Sequence, residues 1–141
     1  MCPTSHECAA GRHAETLAEI ASAIADTLMA GRKLLLCGNG GSAADAQHVA
    51  SELVVRYKRD RQELPAVALG TDVTLPTAVG NDYSFDQVFT RQIEALAVTG
   101  DVLWAFSTSG TSPNHHLLLQ PPPSSASSSR LPSPAQPGVG S

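Results

Sequence analysis

Nowhere in the chain do apolar residues run on for the roughly 18 positions that a membrane-spanning helix needs. The N-terminal stretch MCPTSHECAAGRHAE also lacks the long apolar core of a secretory signal. Basic residues are in deficit: nine Lys and Arg stand against thirteen Asp and Glu, giving a net charge of −4 and a pI of about 5.6. A general nucleic-acid binder would be expected to carry a basic surface, so this balance argues against one. The three cysteines, Cys2, Cys8 and Cys37, are odd in number and form no CxxC pair, which argues against a zinc ribbon or a disulfide framework. No Lys follows the glycines in the spacing of a nucleotide P-loop, and GNGG fails the GxGxxG pattern. There is no internal repeat. What remains is a 141-residue chain, 42% hydrophobic, long enough for one domain with a single core. Its expected setting is the cytoplasm, with no membrane and no nucleic acid as partner.

Composition changes abruptly near residue 115. Of the residues from Pro121 to Ser141, thirteen are Pro or Ser, and Arg130 is the one charge. Such a segment cannot bury enough surface to offset its ordering entropy, so residues 117–141 read as a disordered tail behind a domain spanning 1–116. Within that domain, Leu17, Ile20, Ala21, Ile24 and Leu28 recur at helical spacing and predict a helix over about 14–30. The run KLLLC, 33–37, suits a strand covered on both faces, with Cys37 as a small buried hydrophobe. Ser42 is placed to N-cap a helix whose apolar stripe is Ala46, Val49, Ala50, Leu53, Val54 and Tyr57. Strands follow at 66–69 and 102–106, with helices at about 73–79 and 84–97 between them. Ser112 is a possible N-cap ahead of Pro113 at the favoured first helical position. Strands alternating with helices predict an α/β protein, a three-layer parallel sheet with helices on both faces.

Ligands in such sheets sit beyond the carboxyl ends of the strands. Two strands end in loops of similar chemistry. The first, GNGGS at 38–42, lets backbone N–H groups approach a ligand at a helix start. The second, STSGTS at 107–112, adds the hydroxyls of Ser107, Thr108, Ser109, Thr111 and Ser112. Each alone is consistent with an ordinary tight turn or solvated loop. Both together favour a phosphate-bearing small molecule, and hydroxyl and amide donors without cations suit a sugar phosphate better than a triphosphate. His48 and Glu52 stand four residues apart on one helix face, away from the apolar stripe. They are either a solvated polar face, a carboxylate base with a histidine acid, or two of a metal's ligands. Asn81, Asp82 and Asp72 are further candidates, although Asn-Asp is also an ordinary turn pair. The cations of RYKRDR, 56–61, read as a solvated cap on a helix C-terminus. His115 and His116, at the change in composition, read as incidental.

The segments CGNGGSAADAQHVASELVVRYKRDR, LPAVAL, GNDYSFDQVFTRQIEAL, GDVL and STSGTSPN together resemble a sugar isomerase (SIS) domain, and more narrowly the phosphoheptose isomerase family. The match runs from about Leu17 to Asn114. It implies a flavodoxin-like sheet, a homotetramer, a bound zinc, and conversion of sedoheptulose 7-phosphate into D-glycero-D-manno-heptose 7-phosphate for bacterial heptose synthesis. It implies that phosphate lies against Ser107, Thr108, Ser109 and Ser112, and that Asn39, Gly40, Gly41 and Ser42 contact the substrate. His48 falls on the family's metal-ligand histidine and Glu52 on its catalytic glutamate, itself at the metal. Asn81 and Asp82 match a substrate-side pair. The chemistry is coherent with these residues: aldose–ketose exchange needs a positioned base, an acid and stabilisation of an oxyanion.

Past Asn114 the resemblance stops. The family's remaining strands and its C-terminal helix, which carries a second essential histidine and another metal ligand, are not recognisable in HHLLLQPPP. The expectation is therefore a partial SIS domain with weak or no isomerase activity, poor zinc retention and an exposed edge on strand 102–106. The alternative is a non-catalytic SIS protein that binds a sugar phosphate or the bacterial replication initiator. The relative that binds the initiator lacks a glutamate at the position of Glu52, so Glu52 favours the isomerase. A sugar-phosphate-sensing regulator would need a DNA-binding domain, for which the segment before Leu17 is too short.

Overall fold

The computed structural model describes residues 5–119, with side chains from 13 to 118. Of the tail predicted over 117–141, residues 120–141 lie outside the described residues. Three parallel strands form the sheet: β1 (Leu34–Gly38), β2 (Ala66–Ala68) and β3 (Val102–Phe106), in the order β2-β1-β3. Leu34 stands opposite Ala66 on one side and Val102 on the other. The central strand is the one with the continuous apolar run, and every residue of it is buried. That is the pattern of a parallel strand with helices on both faces.

The two-residue period of β1 divides the core into two layers. Leu34 and Leu36 face Ala46 and Ala50 of α2 (Gly41–Val54), with Ile24 of α1 (Ser5–Met29) alongside. Leu35 and Cys37 face the other way. They meet Val79 of α3 (Thr74–Asp82) and Val88 and Phe89 of α4 (Val88–Leu96). Each fully buried leucine contributes about 1.5–3 kcal/mol relative to exposure. This is the three-layer, flavodoxin-like arrangement expected from the alternation of elements.

Several boundaries differ from expectation, each for a local reason. The second helix starts at Gly41, with Gly40 as its cap; the Ser42 side chain makes no capping bond. The stretch 84–97 is not one helix. Ser84 is extended and its hydroxyl accepts from the Asp86 N–H, which sets up a 3-10 turn at Phe85–Gln87 before α4 begins. The third helix runs through Asp82, so Asn81 and Asp82 are its last residues and not a turn. Beyond the expected domain limit at 116, α5 (Pro113–His116) runs into a 3-10 turn at Leu117–Leu119, and Leu118 packs on the Leu35 layer.

Two polar contacts fix loop ends. Asp101, whose side chain is 4% exposed, pairs with Lys33 Nζ at 2.6 Å and accepts from the Lys33 N–H and the Val98 N–H. Burial pushes its carboxyl up, but the Lys33 and Val98 donors outweigh that and hold it at about 2. Buried Gln92 accepts from the Gly70 N–H and donates to Val88 O, holding the chain where it leaves β2. No helix among the described residues is long and apolar enough to cross a membrane.

Candidate functional site

Because β1 and β3 are neighbours and parallel, the loops that leave their carboxyl ends come out side by side. After Gly38 the chain must turn sharply into α2. Gly40 takes φ 56° and ψ −122°, backbone territory that side chains avoid. The Ser42 N–H then donates to Asn39 O and the Ala43 N–H to Gly40 O, closing the turn. After Phe106 the second loop is held by its own hydroxyls. Ser107 Oγ accepts from the Gly110 N–H at 2.9 Å, and Ser109 Oγ accepts from the Thr111 N–H at 3.3 Å. A hydroxyl that accepts from the backbone keeps its own proton free to donate, which suits an anionic ligand.

The loops meet in a cavity of about 50 Å³. Asn39 and Ser42 line it from the first loop, and Ser107, Thr108, Ser109 and Ser112 from the second. Gly40 and Gly41 lie in the turn between the first two. A reciprocal amide pair joins the loops: Asn39 Nδ2 donates to Asn114 Oδ1 at 2.9 Å, and Asn114 Nδ2 to Asn39 Oδ1 at 3.0 Å. Ser112 caps α5 through its carbonyl, which accepts from the His115 and His116 N–H groups; its hydroxyl makes no capping bond.

His115 is the residue that sequence reasoning misjudged. It is 9% exposed, it borders the cavity, and its ring stacks on Phe89 with centroids 5.6 Å apart. Among the described residues, neither ring nitrogen has a hydrogen-bond partner. Burial, with His116 as a lesser influence, moves its pKa below the ordinary histidine value. Only its neighbour in sequence, Asn114, carried a signal, as part of the SPN helix start.

Other candidates lie apart from the cavity. His48, exposed, and Glu52, half-buried, share one face of α2, with Nε2 and Oε1 4.0 Å apart. Asn81 Nδ2 donates to Asp82 Oδ1 at the exposed end of α3. Asp72 accepts from the hydroxyl and the N–H of Thr74, and those two bonds hold its carboxyl below the usual range. Its role is to shape the start of α3. Arg61 donates to the Glu52, Leu53 and Gln62 carbonyls, so it satisfies acceptors at the end of α2. A larger cleft of about 630 Å³ lies between α1 and residues 62–65, but its lining offers a single titratable side chain, Glu63.

His48 and Glu52 supply two donors, whereas a structural or catalytic zinc needs three or four from the protein. No group of three His, Cys, Asp or Glu among the described residues is placed to hold a metal. These residues alone do not make a zinc site.

The SIS domain family model matches residues 6–118. The chain belongs to the SIS domain family. Among curated relatives, this SIS domain is 65% identical over 91 residues to a phosphoheptose isomerase of Campylobacter concisus, covering 64% of the chain and 48% of the relative. It is 58% identical over 104 residues to a phosphoheptose isomerase of Geotalea uraniireducens, covering 74% and 55%. Two solved structures share its fold. The phosphoheptose isomerase GmhA from Neisseria gonorrhoeae matches with a TM-score of 0.64 and 44% identity, over 79% of this chain and 65% of that one. A phosphoheptose isomerase from Francisella tularensis gives 0.67 and 45%, over 70% and 51%. The SIS domain described here spans about half the length of the curated relatives it matches.

Proposed function

We propose that this SIS domain is the sugar-phosphate-binding portion of a phosphoheptose isomerase, which interconverts sedoheptulose 7-phosphate and D-glycero-D-manno-heptose 7-phosphate. The observation that carries the reading is the convergence of the two loops on one cavity lined by hydroxyl and amide donors, with no Lys or Arg in its lining. The names of the relatives supply the substrate class.

In this reading Ser107, Thr108, Ser109 and Ser112 hold the phosphate. Asn39, Ser42 and the backbone of Gly40 and Gly41 meet the sugar, with Asn81 and Asp82 at its far side. Glu52 is the base. Its carboxylate takes the proton from C1 of the ketose to give an enediol, and the proton is returned at C2 to give the aldose. Zinc enters only as a cofactor of the whole protein, with His48 and Glu52 among its donors. The assembly is a homotetramer in the cytoplasm, serving lipopolysaccharide heptose synthesis. Apolar side chains that α1 leaves exposed, Leu17 and Ile20, are consistent with a partner copy.

Deuterium exchange tests the base directly. The full chain is incubated with sedoheptulose 7-phosphate in deuterated water, and label at C1 is followed by NMR. The expected result for this partial domain is weak label incorporation that is lost in Glu52→Gln with phosphate binding retained. If the wild-type chain fails to bind the sugar phosphate, or if Glu52→Gln incorporates label as fast as wild type, this reading fails.

A further inference from the structure

Asn114 does not border the cavity, yet it is 2% exposed and spends both ends of its amide on one partner 75 residues away. That partner, Asn39, does border the cavity. A side-chain amide carries two N–H donors and one oxygen with two lone pairs. The reciprocal pair uses one donor and one lone pair of Asn39. The remaining N–H and lone pair are thereby given a fixed direction. The same pair ties the turn after β1 to the first residues of α5, where the Ser/Thr loop ends.

We propose that Asn114 is a positioning residue, which orients Asn39 and the Gly38–Ser42 turn so that both loops act on one ligand as a unit. This deepens the isomerase reading and rests on it for the identity of the ligand. Phosphate held by the serine and threonine hydroxyls does not need the pair, whereas the sugar beyond it meets Asn39. The pair therefore serves discrimination between a sugar phosphate and phosphate alone. Two hydrogen bonds within a buried contact make a loss of about tenfold in sugar-phosphate affinity the expected scale.

The test uses the full chain as wild type, Asn114→Ala, Asn39→Ala and the double variant. Amide hydrogen exchange at Ser42 and Ala43, measured without ligand, reads whether the turn is held. Titrations with inorganic phosphate and with sedoheptulose 7-phosphate read the consequence. Expected are faster exchange at Ser42 and Ala43 in Asn114→Ala with the β1 amides unchanged, and sugar-phosphate affinity lower by about tenfold. Phosphate affinity should stay within about twofold, and the double variant should be no worse than Asn39→Ala. Additive losses, equal loss of both ligands, or unchanged exchange would overturn the proposal. If wild type binds the sugar phosphate no better than phosphate, the isomerase reading fails, and the exchange arm still judges the pair. Should Asn114→Ala not fold, Asn114→Asp keeps an acceptor for Asn39 in the same shape. It must then show exchange at Ser42 and Ala43 faster than wild type, and wild-type rates there sink the idea.

Discussion

Replacing Gly38 by alanine isolates one physical term. Gly38 ends β1 outside the left-handed region, so alanine meets no backbone penalty there. The obstacle is space. A methyl carbon at this position would lie 2.5 Å from the Ser42 carbonyl carbon and 2.9 Å from the Ala43 nitrogen, and closer still to Ser42 O. Ordinary contact begins at 3.4 Å, so the first turn of α2 must retreat from the strand by roughly 0.9 Å. The neighbours are backbone atoms inside a hydrogen-bonded turn and cannot rotate away. Overpacking of this kind costs about 3 kcal/mol. For a domain of this size that lowers Tm by about 10–20 °C. Urea and thermal unfolding of the full chain measure it. Gly41→Ala is the control, since nothing lies within 4 Å of its added carbon and its φ is ordinary. It should be neutral or stabilising by up to about 1 kcal/mol. A Gly38→Ala protein within about 0.5 kcal/mol of wild type would refute the close-approach argument.

Two further outcomes concern titration. Asp101→Asn should cost about 1–3 kcal/mol at neutral pH, because three donors lose a carboxylate. The Asp101 carboxyl is depressed to about 2 on folding, so its contribution is complete above its unfolded value of about 4 and disappears as pH falls towards 2. Stability against pH should lose that acid slope in the variant. For His115 the folded ring resists protonation while the unfolded one accepts it near 6.5, so stability is full above that value and declines below it. His115→Phe keeps a ring against Phe89 and removes two unpartnered nitrogens. It should match or exceed wild-type stability by about 1 kcal/mol and should be flat between pH 7 and 5, as chemical denaturation at each pH will report.

Strand positions were legible because an apolar run such as Leu34–Cys37 leaves a parallel strand few other places to go. The meeting of the two loops was legible as well, since parallel neighbours deliver their carboxyl ends to the same edge. What could not be read were contacts set by tertiary placement. The helix at 41 begins where Gly40 can adopt its unusual backbone angles, and a serine two residues later gave a plausible but displaced cap. Ser84 divided 84–97 by bonding its own backbone, a choice that helical periodicity does not record. His115 looked incidental because its surroundings in sequence are poor. Its surroundings in space, Phe89 and the cavity, come from elsewhere in the chain.

The strand order also sets a schedule. While the chain is being made, β1 can pair with β2 after about thirty further residues, but its other side waits for Val102–Phe106. Closing that longer loop carries more entropy and comes later. Until then one side of Leu34–Gly38 is an open template for another strand, a hazard for a nascent chain among others like it. The cavity needs the loop behind β3 and the Asn39–Asn114 pair, so it comes into being only after β3 has joined the sheet. Ligand capture therefore reports that β3 has paired with β1, and, on the proposed function, a sugar phosphate present during synthesis would favour that paired state over its precursor.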